Sequence, residues 1–387
     1  MTAGETPRIL LVTEVYPPQV GGSGALLQNV YSRIDGVDVE VWTPVAGAEA
    51  TGARRMTVSQ EPIVGHFWGV REPAAWRQHL RLTRRMLTAH RQHPMVVHCG
   101  RAQPEGIPAM IAARLGGPPF LFWVHGEEVT TALTSREFAW TMRRVHRAAA
   151  LAIANSRNSA SVLESVGFPP DRIRVVYPGV DTNRFHPAVD GASIRRQFAA
   201  HDEILLLSVG RLQRRKGHDR VIEALHLLGE RAAGLRYVVV GDGSERALLA
   251  QRVAERGLSD RVQFAGEVPA ARLPEYFAAA DIFLLPTRVD AHDFEGFGLV
   301  FLEAAAAGRP SIGGRGGGVG EAIDHDVTGL LVDGNDASDI ARAIGLLAHS
   351  SELRRRLGDA ARARVVERFT WEAAARAVMA IHLELAR

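Results

Sequence analysis

The sequence predicts an α/β protein of two doubly wound domains. Three observations carry this. Strand-length apolar runs alternate with helix-length segments from end to end, the rhythm breaks once, at the turn-forming stretch Pro178 to Pro187, and then restarts, and 387 residues exceed what one α/β core comfortably fills. Strands are expected in the first half at 8–13, 38–43, 95–98, 120–124, 151–155 and 172–177, with helices at 24–34, 73–91, 105–115, 136–149 and 157–166. In the second half strands are expected at 203–209, 236–240, 262–265, 282–285, 310–312 and 329–332, with helices at 218–232, 244–257, 271–279, 298–307, 336–348 and 352–368. The domains are therefore placed at 1–182 and 183–369, with a last helix over 370–387 crossing back onto the first.

Composition narrows the function classes. With 46% apolar and 23% charged residues the chain is globular. Its single cysteine, Cys99, excludes a disulfide framework and a cysteine zinc cage, and reads as a small buried hydrophobe. Lys+Arg 46 against Asp+Glu 43, without basic blocks, suits small anionic ligands and gives no nucleic-acid signature. Nearly every basic residue is arginine, and Lys216 is the sole lysine. The start lacks a secretion-signal pattern and no apolar run reaches the roughly 18 residues of a membrane span, so a cytoplasmic location is expected.

In doubly wound sheets ligands bind beyond the carboxyl ends of strands, so the segments just after strands carry the candidates. After the first strand, Gly21 and Gly22 open a helix where backbone amides could approach an anion, although paired glycines are common in turns. His125 ends the run Phe120 to Val124, a position from which it could donate to or polarise a hydroxyl, or merely be satisfied at a domain edge. Arg211 and Lys216, in Gly210 to Gly217, offer a planar fork and a point charge for a diphosphate; the alternative is a solvated basic loop. Glu303 lies in an almost wholly apolar helix and needs a partner, either an arginine such as Arg309 or Arg315 or the hydroxyl pair of a ribose. Glu295 precedes it by at most about 12 Å of helix axis, and Gly296 and Gly298 expose amides at that helix start. Arg315 to Glu321 is a further glycine-rich turn, and Asp324-His-Asp326 reads as loop, not as a metal site.

Glu295, seven residues, then Glu303, in the setting Glu-Gly-Phe-Gly-Leu-Val-Phe-Leu-Glu, resembles the signature of retaining glycosyltransferases of family 4, which have the GT-B fold of two Rossmann-like domains facing across a cleft. Gly21-Gly22, His125-Gly126, Pro178-Gly-Val-Asp181, Arg211 with Lys216-Gly217 and Phe369-Thr-Trp371 follow that family's other landmarks in order, over essentially the whole chain. The resemblance implies transfer of a hexose of mannose or glucose type from a GDP- or UDP-linked donor to a hydroxyl acceptor, with no cofactor and no metal. By it, Arg211 and Lys216 hold the diphosphate, Glu303 the ribose, and Glu295 with the backbone of Gly296, Phe297, Gly298 and Leu299 the donor sugar. His125 would touch that sugar, and Gly21 and Gly22 would approach phosphate and acceptor. The stretch from Arg288 to Gly298 looks most like mannosyltransferases acting on phosphatidylinositol lipids, while the acceptor stays open among lipid-linked, sugar and small-molecule compounds.

Two other classes stay in view: a donor-binding protein of this fold without catalysis, and a nicotinamide oxidoreductase, for which Gly241-Asp-Gly243 is the best support. The segment 73–91 also has two readings. Its stripe Trp76, Leu80, Thr83 and Leu87 could pack on the sheet with Arg77, Arg81, Arg84, Arg85 and Arg91 solvated, or the helix could rest on anionic lipid at the inner face of the membrane.

Overall fold

The computed structural model describes residues 7–19, 21–50, 55–290 and 293–386. The chain divides into two compact units, Met1–Pro178 with Trp371–Arg387, and Gly179–Thr370. The boundary thus falls after Pro178, and residues 179–182 belong with the second unit, where Val180 bridges to Thr370.

The first unit is one parallel sheet of β1 (Arg8–Val12), β2 (Val39–Thr43), β3 (Met56–Gln60), β4 (Met95–Cys99), β5 (Phe120–Val124), β6 (Leu151–Ala154) and β7 (Ile173–Val175), in the order β3-β2-β1-β4-β5-β6-β7. Its crossovers carry α1 (Gly22–Tyr31), α2 (Pro73–Gln92), α3 (Gly106–Arg114), α4 (Glu127–Ala132), α5 (Arg136–Ala148) and α6 (Arg157–Ser165). The second unit opens with α7 (Ala192–Phe198). It then alternates β8 (Ile204–Val209), α8 (His218–Leu228), β9 (Leu235–Val240), α9 (Arg246–Glu255), β10 (Val262–Gly266), α10 (Leu273–Ala279) and β11 (Ile282–Leu285). After these come α11 (Leu299–Ala306), β12 (Ser311–Gly314), α12 (Val319–Ala322), β13 (Gly329–Val332), α13 (Ala337–His349) and α14 (Ser351–Arg368). This sheet, also parallel, runs β10-β9-β8-β11-β12-β13, and α15 (Trp371–Leu385) rejoins the first unit.

Both sheets are covered on two faces, which is why their inner strands read as unbroken apolar runs. Every residue of β4 and β5 is buried, as is every residue of β11. Phe283 of β11 meets Phe277 and Phe301 with ring centroids 5.5 Å apart, so one strand pins α10 and α11 to the sheet. Burying a side chain of that size contributes about 1.5–3 kcal/mol. Edge strands are different: β3 has only its first residue buried, and its mixed pattern left it out of the sequence expectation. The short α4 and α7 were missed for lack of length. The helix expected over 218–232 stops at Leu228, where Gly229 breaks α-helical geometry and a 3-10 turn follows.

The return of α15 is fixed by a buried polar chain. Trp123 Nε1–H donates to the Tyr31 hydroxyl at 2.9 Å, and that hydroxyl donates to His98 Nδ1 at 2.7 Å. His98 Nε2 lies 3.4 Å from His382 Nδ1, and His382 Nε2 lies 2.7 Å from the Pro7 carbonyl. A carbonyl only accepts, so His382 carries a proton on Nε2, and with both imidazoles neutral every contact of the chain is made in this one direction. Burial lowers both pKa values, His98 well below its ordinary 6.5. The unfolded chain therefore binds more protons than the native one below pH 6.5, and this contribution to stability is lost as pH falls through that value. The buried carboxyl Glu105, pushed up to about 8 by burial and then by Glu14, works in the opposite direction, so the test is a difference of slopes. Thermal midpoints measured from pH 7 to 5 should fall less steeply for a His98→Gln, His382→Gln double variant than for wild type; equal slopes would show that the pair does not titrate with unfolding.

Candidate active site

In the second unit the strand order reverses direction between β8 and β11, and the loops leaving their carboxyl ends meet there. After β8 the chain runs through Arg211 into a 3-10 turn, Arg214–Lys216, and then into α8. After β11 it runs through Arg288 to the start of α11. The two loops are joined backbone to backbone, with Arg288 N–H donating to the Arg215 carbonyl at 2.9 Å.

A carboxylate sits at the junction. Glu295 forms ion pairs with Lys216, at very close approach, and with Arg215, at 3.0 Å. Burial pushes its pKa up, but Lys216 and then Arg215 outweigh burial and hold it below the ordinary carboxylate value. Arg215 is itself buried and also pairs with Asp293 at 2.8 Å. Behind this lies Arg288 on Asp219, with contacts of 3.0 and 3.2 Å. Arg211 is exposed and makes no ion pair among the described residues.

The start of α11 is built from close backbone approach. Gly318 N–H donates to the Glu295 carbonyl at 2.8 Å, and a Cβ at Gly318 would run into the Gly296 carbonyl, so the glycine-rich turn clamps the segment carrying Glu295 and is no free connection. Gly298 is the N-cap, Leu299 begins the helix, and no side chain caps its first-turn amides. Phe297 is buried, 5.8 Å from the Phe369 ring.

Glu303 is half-buried, and among the described residues no side chain donates to its carboxylate. Arg309 and Arg315, the arginines considered for it, instead donate to the Ala278 and Leu331 carbonyls at 2.6 and 3.0 Å. Burial raises its pKa to about 7, opposed by Arg184. Two carboxyl groups of one segment are thus set apart, Glu295 held ionised by cations and Glu303 poised near neutrality with its hydrogen-bonding capacity unused.

In the first unit, Gly21 is the N-cap of α1 in extended backbone, and Gly22 begins the helix; both are exposed and no side chain caps the helix. His125 directly follows β5 and is buried. Its Nε2 lies 3.1 Å from the Gly100 carbonyl, which fixes the proton on Nε2, and burial followed by Arg101 depresses its pKa to about 3. His125 is therefore a neutral ring whose Nε2–H is already used. The expected donation to a hydroxyl is corrected: Nδ1 can only accept.

The structure brings Lys216 and Glu295 together on one ion pair, with Arg211 on the same loop. It adds Arg215, Asp293 and Arg184, which the sequence reading passed over. Arg214 and Arg215 are adjacent and alike in sequence; only the 3-10 turn decides that the second points inward, while the first is exposed with its nearest carboxylate, Asp290, at 3.6 Å. The Gly241-Asp-Gly243 turn is packed on the backbone of Gly210 and Leu212, which accounts for its glycines without a dinucleotide. Among the described residues no cluster of His, Cys, Asp and Glu could hold a metal ion.

Family comparison agrees with this geometry. Residues 27–184 match the model described as Glycosyltransferase Family 4, and residues 191–364 match Glycosyl transferases group 1. A GDP-mannose-dependent alpha-(1-6)-phosphatidylinositol monomannoside mannosyltransferase of Mycobacterium tuberculosis is 31% identical over 94% of this chain and 95% of its own length. The chain is a family 4 glycosyltransferase of GT-B fold. A D-inositol 3-phosphate glycosyltransferase of Streptomyces scabiei is 30% identical over 95% of this chain and 88% of its own. Among solved structures, Anabaena HepE in complex with UDP and glucose superposes with a TM-score of 0.81 at 21% identity, covering 98% of this chain and all of that one. Sucrose-phosphate synthase from Thermosynechococcus elongatus gives 0.78, also at 21% identity, covering 98% of this glycosyltransferase and 99% of that chain.

Because Arg215 serves two carboxylates and is buried, removing it leaves both under-compensated, at a cost of about 3–5 kcal/mol. Among the described residues the single ion-pair partner of Lys216, Glu295, is shared with Arg215. Chemical unfolding should show Arg215→Met strongly destabilised and Lys216→Met far less; equal losses would contradict this division of roles.

Proposed function

We propose that the protein is a retaining mannosyltransferase that moves mannose from GDP-mannose to a hydroxyl of a lipid-linked acceptor. The observation that carries this is the switch-point site, where Lys216 pairs with Glu295 and the segment after β11 carries two carboxyl groups of opposite electrostatic character, Glu295 and Glu303. The choice of GDP-mannose and of a phosphatidylinositol-type acceptor is supported by the mannosyltransferase relatives that span nearly the whole chain.

In this reading Arg211 and Lys216 take the diphosphate. Lys216 exchanges one anion for another as it does so, Arg215 keeps Glu295 ionised through Oε2, and Oε1, which neither cation contacts, takes sugar hydroxyls. The Glu303 carboxylate accepts the two ribose hydroxyls, and amides from Gly296 to Leu299 meet sugar oxygens at the positive end of α11. His125 offers Nδ1 to a substrate hydroxyl, and the exposed amides at Gly21 and Gly22 offer donors to an anion. As the bond from the anomeric carbon to the phosphate oxygen breaks, the acceptor oxygen bonds to that carbon on the same face. Its proton passes to the departing phosphate. Positioning and electrostatic stabilisation supply the barrier lowering. Hydrolysis of GDP-mannose without acceptor separates this from a binding protein without catalysis.

Calorimetry with GDP tests the assignments. Lys216→Ala should weaken binding about tenfold or more, since charge-assisted contacts contribute roughly 1.5–3 kcal/mol. Because Glu303 titrates near 7 and binds hydroxyls best as a carboxylate, wild-type affinity should rise from pH 6 to 8 and the rise should flatten in Glu303→Gln. Unchanged affinity in a folded Lys216→Ala protein would remove it from the site.

We further infer a peripheral membrane contact through α2. No described helix is long and apolar enough to cross a membrane. The expected stripe is divided: Thr83 is buried with Leu82 and Met86, while Trp76 and Leu80 are 41% and 49% exposed beside exposed Arg77, Arg81 and Arg84. An outward aromatic and aliphatic pair framed by arginines suits an anionic lipid surface. Wild type should sediment with anionic vesicles at low salt, less so at high salt, and less again when Arg77, Arg81 and Arg84 are changed together to Ser. Failure of wild type to sediment at low salt would favour a soluble acceptor.

A further inference from the structure

Beyond the end of β5 the sheet no longer holds the chain. The β5–β6 ladder ends where Asn155 N–H donates to the Val124 carbonyl at 3.1 Å, and the backbone of the next residue, His125, is met by side chains instead. Its carbonyl lies 3.2 Å from Ser159 Oγ, but that hydroxyl has one proton and a closer acceptor, Asn155 Oδ1 at 2.8 Å. Its N–H donates to Glu128 Oε1 at 2.7 Å, a shorter contact than either the Ser159 one or the 3.1 Å bond from its ring to the Gly100 carbonyl.

The sequence builds the Glu128 contact locally. Gly126, with φ 116°, turns the chain between His125 and α4, and from the first turn of α4 the buried Glu128 side chain reaches back. Burial raises the Glu128 pKa, and Arg101 followed by the His125 N–H opposes it. In either ionisation state Oε1 remains an acceptor, because a proton would occupy Oε2, which has no hydrogen-bond partner among the described residues. A carboxyl that reaches back from a first helical turn to a backbone N–H is also an ordinary cap. Here, however, the N–H belongs to His125, whose Nε2–H is spent on Gly100 and whose Nδ1 meets no described residue, so any shift of this backbone shifts the one ring nitrogen left for a substrate.

We propose that Glu128 is a positioning residue for the transfer reaction, fixing through the His125 backbone N–H the place from which Nδ1 presents its lone pair to a substrate hydroxyl. This rests on the transferase reading, in which His125 makes that contact. The role is one of reach and not of charge, and small misplacements of a positioning group lower the rate of the chemical step.

Two substitutions separate reach from charge. Glu128→Gln keeps the length and an acceptor oxygen but drops the charge, whereas Glu128→Asp keeps the charge and the acidic first turn but is one methylene short. Hydrolysis of GDP-mannose without acceptor should stay within about twofold of wild type in Glu128→Gln and fall about tenfold or more in kcat in Glu128→Asp, with GDP affinity by calorimetry unchanged in both. In NMR of protein carrying isotope-labelled histidine, the His125 ring should show one protonated and one bare nitrogen in wild type and in Glu128→Gln, and lose that distinction in Glu128→Asp. Because Glu128 acts through His125, adding Glu128→Asp to His125→Ala should change kcat by less than about twofold. The assignment is overturned if Glu128→Asp matches wild type in kcat and in its His125 signals, as a helix cap alone would allow, or if Glu128→Gln falls as far as Glu128→Asp. It is equally overturned if Glu128→Asp slows the His125→Ala protein as much as it slows wild type, or if His125→Ala itself turns over like wild type. A wild type that neither binds nor hydrolyses GDP-mannose overturns the transferase reading and this assignment with it, whereas wild-type hydrolysis indifferent to Glu128→Asp overturns this assignment alone.

Discussion

Glu295 shares one carboxylate between two cations of the same loop, and most of the second-unit site is arranged to make that arrangement stable. A partly buried carboxylate is tolerated only where its charge is met and its position fixed. The charge is met by Lys216 and Arg215. The position is fixed through the backbone, by Gly318 on the Glu295 carbonyl and by Arg288 joining the loops after β8 and β11. The consequence is a site whose electrostatics are set before any ligand arrives, so binding exchanges partners and does not create charges in a dry pocket.

The first unit solves a related problem by other means. Several of its buried polar groups are joined in directional chains: Trp123 to Tyr31 to His98 to His382 to Pro7 on one side, and Gly100, His125 and Glu128 on the other, where the His125 backbone N–H donates to Glu128 at 2.7 Å. In each chain a backbone carbonyl that can only accept, Pro7 in one and Gly100 in the other, fixes the proton of the ring nitrogen that meets it. Such tautomers are rigid, and they decide which ring nitrogen remains for a substrate.

The architecture was legible because parallel strands buried on both faces write themselves as apolar runs, and β5, β11 and β13 fall where the runs place them. The strand β3 was not, since an edge needs only one buried side and its five residues carry no distinctive pattern. At the site, residue types after strands were enough to pick out Lys216, Glu295 and Glu303. Spacing could not tell that Lys216 and Glu295 are each other's partners, because they lie 79 residues apart. Nor could it find Arg184, whose field on Glu303 comes from the turn after Pro178, or choose Arg215 over Arg214.

That the chain keeps one lysine has a practical side. Arginine does not react with ordinary amine-directed reagents at neutral pH, so apart from the chain start, Lys216 is the single amine a reagent could modify. Its side chain is only 11% exposed and tied to Glu295, so acylation there proceeds only when the ion pair opens. Covalent labelling of this protein by an amine-directed probe would thus be stoichiometric at one side chain, and the labelling rate would report directly on how often the central ion pair lets go.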